Sequence, residues 1–232
     1  MKKSKIVKKG KWWFRFVKRL TSRRYKMPEF IYLGEEFKDG SVIISNHEGT
    51  DAPMSLELYL DRDIYMWGAH EMNSGLVKMY KYQTRVYYHE KKHWNIHLAR
   101  LFCLIASPLT NMFYKGIKLI STYRDSRFIK TLKESYTAIE KGGNIVVFPE
   151  DSSKGYLKEL EGMFAGFVML AEYCLKKGRD VPIVVSYFNK DKKTYVFDNP
   201  ILYSELKNTY ETKEAIIEKL LKRCNELGKY GE

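Results

Sequence analysis

Four consecutive residues without a polar side chain, Ile145-Val146-Val147-Phe148, constrain this chain more than any other stretch. A helical stripe of Phe128, Ile129, Leu132, Tyr136 and Ile139 precedes them, and Gly142-Gly143 separates the two. So short an apolar run, entered from a glycine turn and left through Pro149, is expected to be a strand covered on both faces, because a strand with one wet face would alternate. The order helix, glycine, buried strand then recurs: Phe164, Phe167, Val168, Ala171 and Leu175 lead through Gly178 to Val181-Pro182-Ile183-Val184-Val185. Helices alternating with doubly buried strands predict an α/β fold, a mixed and mostly parallel sheet flanked by helices.

Further strands are expected over residues 30–34, 41–45 and 64–67, and Thr50 is expected to cap a helix that carries Pro53 in its first turn. A hairpin around 189–193, a strand over 194–197 and a closing helix over 211–227 complete the pattern. Residues 73–114 are the least legible: basic, rich in Tyr and Met, then apolar through Leu101-Phe102-Cys103-Leu104-Ile105-Ala106. With 232 residues and 44% apolar content, the chain can bury one substantial core. One domain over 29–232 is expected, preceded by an arm over 1–28.

The arm holds the charge. Residues 1–26 carry 12 Lys and Arg and no acid, whereas the other 206 residues carry 29 basic and 28 acidic side chains. If residues 6–20 are helical, Ile6, Trp13, Phe16, Val17 and Leu20 gather on one side with Lys8, Lys11, Arg15 and Lys18 opposite. A basic amphipathic helix with tryptophan at its edge suits a membrane surface of anionic lipid; docking on the chain's own domain and nucleic-acid binding are the weaker readings. The basic N-terminus lacks the apolar stretch of a signal peptide, and the sequence holds no run of ~18 to 20 apolar residues. Cys103, Cys174 and Cys224 form no CxxC pair, which fits a reducing compartment. A cytoplasmic protein, peripheral on the inner face of a membrane, is the expectation.

Chemistry is expected where apolar runs stop. His47 follows the strand over 41–45, four residues before Asp51, and a neutral imidazole is well poised to take a proton near neutral pH. A carboxylate on its other nitrogen would hold the tautomer and stabilise the imidazolium. The plainer reading is that His47 caps the next helix and Asp51 favours its N-terminus. No Gly-x-Ser-x-Gly elbow supplies a protein nucleophile, so an activated hydroxyl would belong to a substrate. His89, His93 and His97, four residues apart, would line one polar helix face; the HExxH context of a metal site is absent and no metal is expected.

Taken together, four blocks resemble the glycerolipid acyltransferase family of lysophosphatidic acid and glycerol-phosphate acyltransferases. Asn46-His47, three residues and Asp51 resemble its Asn-His-(four residues)-Asp block. Residues 116–124 resemble the block that ends in a phosphate-binding Arg, Phe148-Pro149-Glu150 the Phe-Pro-Glu-Gly-Thr-Arg block, and Val181-Pro182-Ile183-Val184 the Val-Pro-Ile-Val-Pro block. The likeness covers about residues 40–190. It implies His47 as general base and Asp51 as its orienting carboxylate. Substrate binding would fall to Arg124 (acceptor phosphate), Glu150 (acceptor hydroxyls), Phe148 and Pro149, with Ser152 at the family's Thr position and Lys154, one residue past its Arg position, as a substitute charge. The implied reaction is phospholipid-type acyl transfer to a lysophospholipid or polyol hydroxyl. The co-substrate would be an acyl-CoA or acyl carrier protein thioester, with no other cofactor.

Three departures stand out. The His-to-Asp spacing is one residue short, the family's Gly-Thr-Arg is replaced by Asp151-Ser152-Ser153, and residues 73–110 are longer than the family segment. Lys154 would offer a point charge where the family has a bidentate fork. The rival expectations are a degenerate acyltransferase fold that only binds anionic lipid or nucleic acid, and a thioesterase that uses water in place of an alcohol.

Overall fold

The computed structural model describes residues 11–151 and 155–231. Its elements in chain order are α1 (Trp12–Thr21), β1 (Glu29–Tyr32), β2 (Val42–Ile44), α2 (Asp51–Tyr59), β3 (Ile64–Ala69), α3 (Leu76–Tyr82), α4 (Ile96–Tyr114), β4 (Leu119–Thr122), α5 (Phe128–Glu140), β5 (Asn144–Val147), α6 (Gly166–Lys176), β6 (Pro182–Asn189), β7 (Thr194–Phe197), β8 (Ile201–Leu202), α7 (Tyr203–Thr209) and α8 (Lys213–Gly228). The strands form one sheet in the order β1-β7-β6-β2-β5-β3-β4, with β8 beside β6. Strands β6, β2, β5, β3 and β4 run parallel, as do β1 and β7, while β6 pairs with β7 and with β8 antiparallel. This is the α/β architecture, a mostly parallel mixed sheet flanked by helices.

The apolar runs behave as doubly buried strands. Every residue of β2 and β5 is buried. Val42, Ile44, Ile145, Val147, Ile183 and Val185 point to the face covered by α5, α6 and α8, while Ile43, Val146 and Val184 point to the face covered by α2. An aromatic group from the β1–β7 edge, including Phe37, Tyr195 and Phe197, closes the second face. Gly142 at φ 80° and Gly178 at φ 80° end α5 and α6 in the left-handed conformation that the glycines predicted.

Several expectations need correction. Thr50 precedes α2 but makes no side-chain cap; its hydroxyl lies 2.9 Å from Tyr25 Oη instead. The three histidines share no helix face: His89 lies in a π-helical stretch over Gln83–Lys91, His93 in the irregular link after it at φ 55°, and His97 in the first turn of α4. In the arm, Lys18 is not on a solvated basic face. It is buried with Phe14, one helical turn away, and pairs with Glu57 at 2.6 Å, because a buried carboxylate there needs a cation. Ile6 and Lys8 lie outside the described residues. The illegible segment 73–114 folds as α3, the π-helical stretch and α4, an insertion between neighbouring strands β3 and β4.

Candidate active site

Parallel strands put their carboxyl ends on one edge of the sheet, where α/β proteins place their sites. Register pairs Ile44 of β2 with Val147 of β5, so His47 and Glu150 each sit three residues beyond paired positions. The two blocks meet there. Glu150 Oε2 accepts a hydrogen bond from the His47 backbone N–H at 3.0 Å, across 103 residues of sequence. Glu150 is buried, and its own segment is clamped from behind: Phe164 N–H donates to the Pro149 carbonyl at 2.7 Å, and Met163 forms a bridge with Glu150.

His47 is held from its other side by Asn46, to which sequence reasoning gave no role. Fully buried, Asn46 accepts from Phe188 N–H at 2.7 Å and donates to the Phe188 carbonyl at 3.0 Å, so its amide continues the β2–β6 ladder by one side chain. Ser45 adds a bond from Tyr195 Oη at 2.8 Å. An amide directly after a doubly buried strand was the available signal, since a buried amide needs both donors and acceptors met.

The imidazole is half-buried between aromatic rings. Phe148 lies 4.9 Å away by ring centroids and tilted, while Tyr156 stacks at 5.0 Å and 26°. Both His47 Nδ1 and Glu150 Oε1 are shielded from solvent. Burial pushes the Tyr156 phenol up, with Tyr87 and Glu150 adding to it, so it stays protonated beside the ring. Lys92 from the insertion lies 5.9 Å over the Tyr156 ring.

The shortened spacing to Asp51 is absorbed by a tight turn. Glu48 at φ 41° and Gly49 at φ 66° are both left-handed, and Asp51 is already the first residue of α2. Its carboxylate pairs with Lys190 at 3.0 Å, at the end of neighbouring strand β6. Among the described residues no hydrogen bond joins the His47 ring to Asp51. Asp51 raises the Lys190 pKa, whereas burial is what raises that of Glu48, against the nearby Lys190.

Arg124 stands apart. It is exposed, two residues past β4, and the order β2-β5-β3-β4 sets it three strands from His47, roughly 14 Å at ~4.8 Å per strand. The structure thus brings together His47, Phe148, Pro149 and Glu150, and does not bring Arg124 against them. Ser152 and Lys154 lie outside the described residues. Among the described residues no group of three His, Cys, Asp or Glu is arranged to hold a metal ion.

What this geometry defines is a class: an α/β chain whose histidine and carboxylate blocks meet at the carboxyl edge of a parallel sheet. Compared with protein-family models the chain matches none, and no curated protein matches it.

Proposed function

We propose that the chain is an acyltransferase of the glycerolipid type, working at a membrane surface. The imidazole of His47 takes the proton of an acceptor hydroxyl, the oxygen forms a bond to the thioester carbonyl carbon, and the carbon–sulfur bond breaks. The thiolate leaves and recovers the proton from the imidazolium. Thioesters suit this scheme because the leaving group is good, so proton removal and alignment supply much of the rate gain. The observation that carries the reading is the 3.0 Å bond between His47 and Glu150, which joins two of the four family-like blocks at one sheet edge.

The test is transfer of a labelled acyl group from acyl-CoA or acyl carrier protein to a panel of lysophospholipids and polyols. His47→Ala is expected to lower the rate on the order of 10²- to 10⁴-fold. Equal transfer by this variant sinks the general-base role.

One observation favours a second reading, a fold that binds anionic lipid without turnover. Asp51 is engaged by Lys190. Wild-type protein that binds vesicles but consumes no thioester with any acceptor would decide for it.

A further inference from the structure

Helix α4 packs on the protein along one narrow stripe. Ala99, Cys103 and Ser107, four residues apart, face inward, and Ser107 Oγ donates to the buried Gln83 at 2.6 Å. Much of the opposite side is bare: Leu98, Leu101, Leu104, Ile105 and Leu109 are exposed, Ile105 by 73%. Bare apolar area on that scale marks an interaction surface. The end of α4 also receives α1: Phe14 packs on Phe113 at 5.4 Å between ring centroids and lies against Gly116. Docked this way, α1 leaves Trp12 77% exposed, with Phe16 and Leu20 following it at helical spacing.

Charge identifies the occupant. Residues 72–124, which contain the insertion, hold nine Lys and Arg against the single acid Glu90; residues 1–26 hold twelve and none. Everywhere else the chain has 20 basic and 27 acidic side chains. The positive excess is therefore confined to the two segments that carry the bare apolar helices. A second copy meeting this face through a two-fold axis would set cations against cations. Anionic lipid meets the apolar and the cationic groups at once.

We propose that α4, supported by α1, is an in-plane anchor that seats the chain on an anionic lipid bilayer, its leucines and Ile105 sunk at the headgroup boundary. At 19 residues α4 is long and apolar enough to cross a bilayer, which corrects the sequence expectation; the in-plane placement rests on its attachment to its own domain through Ala99, Cys103 and Ser107. Lys92, just before α4, lies 5.9 Å over the Tyr156 ring, and Tyr156 stacks on His47. The anchor thus sets the His47 edge beside the surface where lipid substrates reside. This deepens the membrane placement in the proposed function and moves its main contact from residues 1–26 to the insertion.

The experiment is flotation of the full chain with phosphatidylcholine vesicles, with and without phosphatidylglycerol, in the absence of any thioester. Wild type is expected to float with the anionic vesicles and less so in high salt. Leu101→Glu/Ile105→Glu, changed at exposed positions, is expected to lose on the order of 10- to 100-fold in partitioning while keeping its melting temperature. Should that pair disturb folding, Leu101→Ser/Ile105→Ser with an unchanged circular dichroism spectrum serves instead. Brominated lipid is expected to quench tryptophan emission in wild type only. Flotation of the double variant equal to wild type overturns the proposal. So does a wild type that ignores vesicles but dimerises, if the same variant is monomeric. His47→Ala is expected to float like wild type, so the anchor and the chemistry fail separately.

Discussion

Glu150 holds His47 by its backbone: Oε2 accepts the His47 N–H at 3.0 Å. The carboxylate of the third family-like block therefore acts on the position of the histidine, while the imidazole is bracketed by Phe148 and Tyr156. Asp51 is turned to Lys190. Backbone bonds and aromatic packing at the sheet edge thus help to set the aim of the imidazole.

Removing the clasp is expected to cost both stability and turnover. Glu150→Ala leaves the His47 N–H without this acceptor, and a buried donor in that state costs about 1–3 kcal/mol. Glu150→Gln retains one oxygen at the same reach and is expected to lose less. Urea denaturation of both variants checks the order, and acyl-transfer rates are expected to fall in the same order.

Asn46 is expected to be the more sensitive position. Asn46→Ala leaves both the Phe188 N–H and its carbonyl without partners in a fully buried site, about 2–6 kcal/mol for two groups. Asn46→Asp keeps the acceptor but sets a carboxylate oxygen against the Phe188 carbonyl. Folding then favours the protonated acid, which raises its folded pKa. The deficit is expected to be full near neutral pH and to shrink as pH falls through that raised pKa. Urea midpoints near neutrality and in mild acid test the sign.

The sheet was legible because its strands are short apolar runs closed by glycine. Ile145–Phe148 and Val181–Val185 admit little else, and Gly142 and Gly178 mark the helix ends on φ alone. Of the candidate site, His47 and Glu150 emerge together because both follow such runs. Asn46 could be flagged only by its place directly after a buried strand, because its role depends on Phe188, 142 residues away. The insertion was illegible for a physical reason: α4 faces its own domain through Ala99, Cys103 and Ser107 and is apolar nearly everywhere else, so no polar face sets a helical period. Short β8 and α7 depend on pairing with β6 and on packing, which periodicity over so few residues does not report.

Docking of α1 is expected to depend on one ion pair. Lys18 Nζ meets the Glu57 carboxylate at 2.6 Å and also donates to the Glu57 carbonyl at 3.0 Å, both side chains nearly without solvent. Burial raises the Glu57 pKa, and Lys18 opposes that rise. Lys18→Met strands the carboxylate, a change of about 3–5 kcal/mol where the pair stays buried. The expected readout is faster tryptic cleavage at Arg19 and Arg23. Lys18→Met/Glu57→Met is expected to restore protection, since an apolar pair of similar size avoids the desolvation.

Glu48 sets a further pH dependence. It sits half-buried in a left-handed turn at φ 41°, and burial holds its carboxyl above the ordinary range, with Asp51 and Asp191 adding to the rise and Lys190 opposing it. A carboxyl whose folded pKa is raised binds its proton more tightly when folded, so its charged form lowers stability. That penalty is complete above the folded pKa and disappears below the unfolded one. Glu48→Gln is therefore expected to be more stable than wild type near neutral pH, with the gap closing as pH falls through the raised pKa into the usual carboxylate range. Thermal melts of the two proteins across that interval test it; a gap that widens in acid would assign the turn's carboxylate a stabilising role.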